Sequence, residues 1–598
     1  MFPVFLIAEH HFAIYNIIMT FEERIKNIKF ALGTSEFTKI IDSECHYIDK
    51  TLLIKEILDS KSEAILFTRP RRFGKTLNMT MLRTFFEKPL DGRDTSHYFK
   101  NLKIWQCGEK YISEQGKRPV IYLTLKDIKP TKFEQAITGI SLEVADEIER
   151  YQEIFESRKL TDFQKNRAKE LVQNLGNIAF LAKSLKTLSM LLHKHYGEQP
   201  IILIDEYDVP IQSGFEHGYY DEIIAFMRNF LSGAFKDNPS LYRGILTGVS
   251  RVSKESIFSG LNNLDVDTIF NKPFSTFFGF TQEEINKMFK FYGIEDKLKE
   301  AESWYDGYIF GTNHIYNPWS IISYLKNGCI PGNYWVNMSE NGLAGEAMCQ
   351  LRAEDRKSLE ELMSGKKTRA FAATHIIYNE LGKDIAQAYG LLAQTGYLRA
   401  SDVDLKPFNY LCTMEIPNRE LFSAYAEEVV DRILKPREKR IATEIIKAVL
   451  DGRPEDLQKC LSDFLLETCS FLDLTEEKDY QNILIGLLAS MKDGYDITAN
   501  CEAGHGRADI SMCPRIDNKH RNVLPGIIIE LKHYEATESE KDNPENLESE
   551  LERQAEDALK QIETKSYISR LKSAGCVSIL KYGVAASGKY VKIIRKSE

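Results

Sequence analysis

A short apolar segment, Ala64–Thr68, runs directly into the loop Arg-Pro-Arg-Arg-Phe-Gly-Lys-Thr, and a helix-forming stretch follows from Leu77 to Phe86. The order of strand, loop and helix and the final Gly-Lys-Thr match the phosphate-binding pattern G-x-x-x-x-G-K-[ST], the P-loop. Arg69 occupies the position of the first glycine. Because backbone N–H groups at the helix N-terminus form the phosphate cradle, we expect the loop to work without that glycine. Pro70 would then have to replace the usual left-handed turn with a different bend.

The loop and the first helical turn supply the residues predicted to contact a nucleotide. Lys75 is predicted to neutralise the β- and γ-phosphates, and Thr76 to give its hydroxyl to Mg²⁺. The predicted set in this segment is Arg72, Phe73, Gly74, Lys75, Thr76 and Leu77. A Gly-Lys-Thr sequence beside a strand also arises by chance. A second motif is therefore needed to distinguish a nucleotide site from a chance match.

That second half is an apolar strand that ends in two adjacent acids, Ile201-Ile-Leu-Ile-Asp205-Glu206. Asp205 is predicted to join the Mg²⁺ shell, and Glu206 to orient and deprotonate a water molecule. Two acids at the end of a buried strand are costly unless a cation uses them. Together the two segments predict a P-loop NTPase that binds ATP or a similar nucleotide.

A third strand, Gly244–Gly248, leads into Val-Ser-Arg. Polar groups at the carboxyl end of a parallel strand face the ligand crevice. Thr247 or Ser250 could therefore sense the γ-phosphate, and Arg251 could act as an arginine finger in cis or in trans. An ordinary Gly/Ser turn with a solvated arginine explains the same residues, and the sequence leaves both interpretations open.

The chain has 598 residues, which predicts about three or four domains. After an N-terminal appendage at 1–30, residues 31–280 alternate β-branched runs with helical patterns, which predicts an α/β domain with a parallel sheet and helices on both faces. Residues 281–472 are mostly helical in pattern, and residues 473–598 return to an α/β pattern. The acidic run 535–557 is interpreted as a solvated loop or helix start.

Composition excludes several classes of protein. The net charge of −9 argues against a globally basic nucleic-acid coat, although a local basic groove remains compatible with it. Ten cysteines without a CxxC pair argue against zinc ribbons and a disulfide framework, and favour a cytoplasmic protein. Residues 1–20 are apolar but lack Lys and Arg and are interrupted by Glu9-His-His11. We therefore expect no stable membrane association, and Met19 is an alternative start.

Near the C-terminus, Asp509 follows a glycine-rich turn, and the next strand reads Ile527-Ile-Ile-Glu530-Leu-Lys532. In a strand, residues i and i+2 share a face, so Glu530 and Lys532 point together. Asp509 and Glu530 are predicted to hold one or two Mg²⁺ ions, with Mn²⁺ as an alternative, and Lys532 to position or activate the attacking water. Glu502 is predicted to be an additional metal ligand. A surface ion pair also explains Glu-Leu-Lys, but the apolar residues before it indicate a buried strand, where a chance Glu and Lys would be expensive.

These motifs resemble two families. The chain resembles the bacterial AAA-ATPase-like family in four segments. They are Tyr47-Ile-Asp-Lys-Thr51, the P-loop with its arginine, Ile204-Asp-Glu-Tyr-Asp-Val-Pro210 and segment 256–263. That resemblance implies an ASCE-type P-loop core followed by a helical, winged-helix-like lid. The arrangement of the C-terminal acids, together with Gln561 and Tyr567, resembles that in the PD-(D/E)xK nuclease superfamily. This resemblance implies a restriction-endonuclease-like α/β domain. That family's usual Tyr-His on the preceding helix is Tyr-Gln here, at 480–481.

The sequence thus predicts a cytoplasmic bacterial hydrolase in which ATP binding and hydrolysis are coupled to a metal-dependent nuclease acting on DNA or RNA. The alternative is an ATP-driven switch or scaffold whose nuclease-like domain only binds a nucleic acid or a protein partner. The basic tail, 581–596, offers contacts to a DNA backbone, or is an edge strand protected by lysines. Whether the protein forms a homo-oligomer stays open.

Overall fold

The computed structural model describes residues 29–31, 33–252, 263–335, 362, 367–381, 383–405, 409–422, 436–468, 477–488, 491, 494–503, 506–515, 524–536 and 544–597. The apolar N-terminal stretch and most of the 256–263 motif lie outside these residues. The chain divides into two compact units. The first holds the described residues up to Ile330 and from Arg369 to Pro417, and the second holds those from Asn418 onward with the described parts of 331–338 and 352–368.

The first unit is built around a five-stranded sheet with the strand order β2-β3-β4-β1-β5, in which every pairing is parallel. The strands are β1 (Ala64–Thr68), β2 (Val120–Thr124), β3 (Ile201–Asp205), β4 (Arg243–Gly248) and β5 (Leu264–Asp267). Every residue of β1 and β3 is buried. Burial on both faces explains why these strands read as continuous apolar runs.

Helices connect and cover these strands, and α3 follows β1 after the loop at 69–74. The helices of the first unit up to β5 are α1 (Phe37–Asp42), α2 (Leu52–Asp59), α3 (Lys75–Phe86), α4 (Glu109–Ile112), α5 (Phe133–Glu149), α6 (Asp162–Gln173), α7 (Ile178–Tyr196), α8 (Val209–Glu216) and α9 (Tyr220–Phe235). Short 3₁₀ helices lie at Ser96–Tyr98, Lys103–Cys107 and Gln152–Glu156. The predicted P-loop α/β architecture is confirmed.

The region after β5 combines helices with two small sheets. Its helices are α10 (Gln282–Tyr292), α11 (Leu298–Tyr305), α12 (Pro318–Lys326) and α13 (Ile385–Thr395), with 3₁₀ helices at Glu295–Lys297 and Tyr378–Glu380. One sheet has the order β6-β8-β7, with strands β6 (Phe280–Thr281), β7 (Tyr308–Phe310) and β8 (Asn313–Tyr316). The other has the order β10-β11-β9, with strands β9 (Thr368–Ala372), β10 (Arg399–Leu405) and β11 (Tyr410–Glu415).

Helix α10 shows how the region after residue 280 is tied to the P-loop core. Thr281 and Glu284 form a capping box, and the helix ends at Gly293 in the left-handed conformation, φ 65°. Glu284 also accepts from Lys50 Nζ at 2.6 Å, and both side chains are largely buried. Lys50 belongs to the Tyr-Ile-Asp-Lys-Thr motif, so this motif has a structural role.

The second unit is a five-stranded mixed sheet in sequence order, β12 to β16, in which only the β14–β15 pairing is parallel. Its strands are β12 (Tyr495–Ala503), β13 (Gly506–Pro514), β14 (Gly526–His533), β15 (Ile579–Ser587) and β16 (Tyr590–Ser597). Its helices are α14 (Pro436–Leu450), α15 (Pro454–Thr468), α16 (Glu477–Leu488), α17 (Pro544–Thr564) and α18 (Ser569–Ser573).

Alternate residues of β14 enter different hydrophobic clusters. Ile527, Ile529 and Leu531 pack in one cluster with residues of α14, α15 and α16. Ile528 packs in another with Ile562 of α17. Helices α14 and α15, which fall in the predicted middle block, thus share a core with the C-terminal sheet.

The acidic run is a helix over most of its length. Helix α17 buries Leu547, Leu551, Ala555 and Ile562 at helical spacing, so one face is part of the core while the acids face outward. Within the described ranges, no helix is both long and apolar enough to cross a membrane.

Candidate active sites

The carboxyl ends of β1, β3 and β4 meet at one edge of the parallel sheet. Phe67 lies beside Thr247 in the β1–β4 pairing, and Ile204 lies beside Leu246 in the β3–β4 pairing. Polar groups that follow these strands therefore face one crevice, which is where parallel α/β sheets bind their ligands.

Asp205 connects the P-loop helix to β4. The Thr76 hydroxyl donates to Asp205 Oδ2 at 2.7 Å, and the Thr247 hydroxyl donates to Asp205 Oδ1. The backbone N–H of Glu206 donates to the Thr247 hydroxyl oxygen at 3.3 Å. Burial raises the pKa of Asp205, while the hydrogen bond from Thr247 lowers it. The structure thus brings together the predicted Mg²⁺ ligands Thr76 and Asp205 and holds Thr247 beside them.

Lys75 is a buried cation that donates to two backbone carbonyl oxygens. Its Nζ lies 3.1 Å from the backbone oxygens of both Arg69 and Pro70, and the residue is 4% exposed. Burial lowers the pKa of Lys75, and the nearby charges of Glu206, Asp208 and Asp205 raise it. Within the described part of the chain no carboxylate pairs with the ammonium directly. A phosphate oxygen would supply that anionic partner, so the loop fits a nucleotide.

Arg69, at the position of the missing glycine, has a structural role. Its side chain is fully buried and forms an ion pair with Asp267, the last residue of β5. The guanidinium also donates to the carbonyl oxygens of Thr68 at 2.8 Å and Asp267 at 3.0 Å. The rings of Phe278 and Phe310 lie 5.0 and 5.3 Å from its Cζ. The arginine therefore anchors the start of the P-loop to the neighbouring strand.

The loop has two left-handed residues after Pro70, and Arg69 is not among the described residues with positive φ. The different bend expected at Pro70 stays a prediction. Arg72 has φ 70° and Gly74 has φ 82°. Glu206, directly after β3, is also left-handed, with φ 54°. Such a conformation costs a non-glycine residue about 1–2 kcal/mol, and residues held in it cluster at functional sites.

The other predicted loop residues have different surroundings. The Phe73 ring is buried, with its centroid 5.0 Å from that of Tyr308 and 5.1 Å from that of Phe310, so this side chain packs in the core. The Arg72 guanidinium lies over the Trp319 ring at 4.3 Å. Leu77 is half-buried in the first turn of α3. Phe73 could therefore contact phosphate through its backbone and not through its side chain.

Two residues that follow Glu206 hold the segment after β4, residues 249–252. The Tyr207 hydroxyl donates to the Ser250 carbonyl at 2.8 Å and accepts the N–H of Val252 at 3.1 Å. Asp208 Oδ2 accepts two successive N–H groups of the segment, at 2.8 and 3.0 Å. The backbone that carries Ser250 is therefore rigidly positioned.

Hydrogen bonds to other described residues fix the backbone of Arg251. Its N–H donates to Gln394 Oε1 at 3.3 Å, and its carbonyl accepts the N–H of Ile376 at 2.8 Å. Its guanidinium forms no hydrogen bond or ion pair within the described ranges. It adds to the effect of burial in lowering the pKa of His375. A role for Arg251 at the γ-phosphate stays a prediction.

In the second unit, Asp509 lies where the ladder between β13 and β14 stops, next to the pair Ile510 and Ile529. Asp509 Oδ2 accepts the N–H of Leu531 at 2.8 Å, and the Asp509 N–H donates to Glu530 Oε2 at 3.4 Å. The two acidic side chains thus bond to backbone groups that further strand pairing would use. The structure brings Asp509 and Glu530 together.

Burial is the main cause that raises the pKa values of both acids. Burial raises the pKa of Asp509 to about 6. Burial, and next the charge of Asp509, raises the pKa of Glu530 to about 8. Lys532 lowers both pKa values without offsetting the burial, and its Nζ lies 3.9 Å from Glu477 Oε2.

The donor set fits a hard divalent cation. Two adjacent carboxylates suit Mg²⁺, which usually takes one or two carboxylates and keeps several waters. No group of three or more His, Cys, Asp or Glu side chains that could hold a metal occurs among the described residues. Water or substrate oxygens would therefore have to complete the shell.

Two glutamine amides lie beside the acids, one bonded to the Glu530 carboxylate and one to the Asp509 backbone. Gln561 Nε2 donates to Glu530 Oε1 and lies 3.3 Å from the Tyr567 hydroxyl. Gln481 Nε2 donates to the carbonyl of Asp509 at 2.7 Å. The Gln-to-Tyr segment at the end of α17 therefore borders the acids, as the resemblance implied.

Glu502 remains a prediction as a metal ligand. Its backbone lies in β12, paired with Arg507 of β13. Its side chain is outside the part of the chain that is described.

The basic tail is largely neutralised by α17. Lys592 Nζ lies 2.9 Å from Glu548 Oε1, and Lys596 Nζ lies 2.8 Å from Glu563 Oε1. Lys581 is 3.9 Å from the same Glu563 oxygen. These contacts favour a protected edge strand over a DNA-backbone surface.

Several site residues carried no clear sequence signal. Asp267 and Glu477 are distant from the motifs they contact. Tyr207 and Asp208 directly follow Glu206 in the Ile-Asp-Glu-Tyr-Asp motif. This position next to a predicted site residue was the one sequence signal that they belong to the site.

The strand order and the P-loop geometry define the first unit as a P-loop NTPase, and the second unit carries a nuclease-like pair of acids on a mixed sheet. Residues 31–258 match the model of a family described as predicted AAA-ATPase, and residues 475–596 match the PD-(D/E)XK nuclease superfamily. The chain therefore combines an AAA-ATPase-like domain with a domain of the PD-(D/E)XK nuclease superfamily.

A protein of Azotobacter chroococcum mcd 1 is similar to this chain over about two thirds of its length. That protein, an uncharacterized protein in the vnfD 5′ region, is 26% identical over 417 residues, which are 68% of this chain and 70% of the relative. Its name states no activity.

Proposed function

We propose that this protein is a Mg²⁺-dependent ATPase whose nucleotide cycle controls a C-terminal, metal-dependent nuclease acting on DNA or RNA. The observation that carries the nuclease half is the contact between Asp509 and Glu530, two neighbouring acids whose pKa values burial raises to about 6 and about 8. Neighbouring acids of this kind are expensive in a fold unless a cation uses them.

At the nucleotide site, Lys75 would bind the β- and γ-phosphates, and Thr76 with Asp205 would hold Mg²⁺, which neutralises phosphate charge when bound. Glu206 would orient and deprotonate the attacking water, and its left-handed backbone sets the direction of its side chain. Arg251 would stabilise charge on the transferred phosphoryl group.

At the nuclease site, Asp509 and Glu530 would hold Mg²⁺ or Mn²⁺, which polarises the scissile phosphate when bound. Lys532 would position the water that attacks phosphorus, and the P–O bond on the opposite side would break to leave a free hydroxyl. Gln561 would keep the Glu530 carboxylate aimed at the metal.

The test is a cleavage assay on single-stranded DNA, duplex DNA and RNA, with Mg²⁺ or Mn²⁺ and with or without ATP. Asp509→Asn should reduce cleavage by roughly 100-fold or more, because it removes a metal ligand. Asp463→Asn makes the same chemical change at an exposed position of α15 and should leave cleavage unchanged.

Absence of cleavage of all three substrates under every condition would rule out the nuclease. The chain would then be an ATP-driven switch or scaffold, in which Lys75→Ala stops ATP turnover and Asp509→Asn has no effect on biological activity.

A cytoplasmic bacterial location is part of the proposal. No disulfide joins the seven cysteines whose side chains the structure describes, as expected in a reducing compartment. Fractionation of cells that express the tagged chain tests it.

A further inference from the structure

The first unit has an open depression of about 580 Å³, far along the chain from the P-loop. It lies between α6, α7 and the turn after α9. Four cationic side chains line it, Arg167, Lys183, Lys186 and Lys236, against one acid, Asp237. Such a concentration of positive charge is unexpected in a chain whose net charge is −9.

Three of these cations have no side-chain partner in the part of the chain that the structure describes. Lys186 Nζ donates to the backbone carbonyl of Asp237 at 2.7 Å. Arg167, Lys183 and Lys236 are exposed and form no side-chain hydrogen bond or ion pair with any described residue. Like charges that converge on a concave surface repel each other unless an anion lies between them, so the depression is suited to phosphate groups.

Exposed aromatic rings flank the same cations. Phe163 is 76% exposed and lies four residues before Arg167 on α6. Phe180 is 42% exposed and lies three residues before Lys183 on α7. Residues three or four apart share a helix face, so each ring lies next to a cation. Large apolar side chains left in water beside unpaired cations mark a binding surface.

We infer that Phe163, Arg167, Phe180, Lys183 and Lys236 form a binding surface for single-stranded nucleic acid, which we call the α6–α7 surface. Phosphates would lie at the cations, and bases would stack on the two phenylalanine rings. A duplex keeps its bases stacked inside, so it could use only the cations. This inference deepens the proposed nuclease function by placing a strand-binding surface on the ATPase unit, yet it is tested without cleavage.

The assay is fluorescence anisotropy of a labelled oligothymidylate of about 20 nucleotides, titrated with the full chain in EDTA and without ATP. The double variant Arg167→Ala with Lys183→Ala should weaken binding about tenfold or more. The slope of the logarithm of the binding constant against the logarithm of the salt concentration should become shallower by about 1.4, because each phosphate contact contributes about 0.7 for single strands. Phe163→Ser with Phe180→Ser should weaken binding about fivefold or more without changing the salt dependence.

Matched controls lie on the same helices. Lys169→Ala on α6 and Lys194→Ala on α7 remove exposed lysines that do not line the depression, and both should bind as the parent does. Circular dichroism and ATP turnover, both unchanged, would show that each variant is folded.

The inference is overturned if the parent binds no single strand, if either double variant binds like the parent, or if the control variants weaken binding equally. It is also overturned if the phenylalanine variant loses duplex binding to the same extent, since stacking would then not be involved. These outcomes are independent of cleavage, so failure of the nuclease proposal alone, with the binding differences intact, leaves the surface standing.

Discussion

Restoring the standard glycine at position 69 should harm the protein. Arg69 is fully buried and Asp267 is 4% exposed, so Arg69→Gly leaves a buried carboxylate without its partner. Breaking a buried pair in this way typically costs about 3–5 kcal/mol. That is a large part of a domain's total stability of about 5–15 kcal/mol. Loss of the donors to two carbonyl oxygens acts in the same direction.

The loss should depend on pH in a defined direction. Burial already raises the pKa of Asp267, and the nearby Arg69 charge lowers it. Without Arg69 the folded-state pKa rises further above the unfolded value, so the variant is most stable at low pH and loses stability as pH rises through that pKa. Urea unfolding followed by tryptophan fluorescence should therefore show a smaller deficit at acidic than at alkaline pH.

Two companion variants separate the mechanism from general damage. Arg71→Gly makes the same change two residues along, where the arginine is only partly buried, and should cost about 1 kcal/mol or less. Arg69→Met with Asp267→Asn removes both charges and should recover most of the lost stability. An Arg69→Gly protein as stable as the parent at alkaline pH, or a deficit independent of pH, would refute the reasoning.

Three further predictions follow from the two sites. Because burial raises the pKa of Asp509 to about 6 and of Glu530 to about 8, the metal-free unit should lose stability as pH rises from about 4 to about 8. Urea unfolding across this range measures the loss, and a Glu530→Gln curve parallel to the parent's would contradict it. Lys75→Met removes a buried cation and should preserve stability without nucleotide. It should abolish the stabilisation by Mg²⁺-ATP, which is about 2.7 kcal/mol at 100 times Kd and is measured as a rise in melting temperature. A retained rise argues against the P-loop role. Since Arg72 lies 4.3 Å over Trp319, nucleotide that draws Arg72 to phosphate should change tryptophan emission, and Trp319→Phe should remove the change.

Much of both sites was predictable from local sequence. The P-loop helix, the buried strand before Asp205 and the strand that carries Glu530 each depend on residues close together in the chain. Strand and helix periods are local, so they show in the sequence directly. The contact between Thr76 and Asp205 followed from the general rule that carboxyl ends of parallel strands share one edge.

Contacts between distant segments could not be predicted in this way. The sequence of the basic tail allowed either a surface for DNA or an edge strand protected by lysines. Folding places Glu548 and Glu563 of α17 beside its lysines, which favours the edge strand. Helices α14 and α15 read as part of a middle domain, yet they share a core with the C-terminal sheet. Apolar periodicity shows that a helix has a buried face but not which element covers it.

The sequence by itself therefore determined that this chain has a phosphate-binding loop, a strand ending in two acids and a nuclease-like Glu-x-Lys strand. Only the tertiary structure decided what Arg69 does, because its carboxylate partner lies 198 residues away in the chain. It also decided that Asp509 and Glu530 are close enough to raise the pKa of Glu530. Burial and charge act through space, and spacing along a chain does not report distance through space.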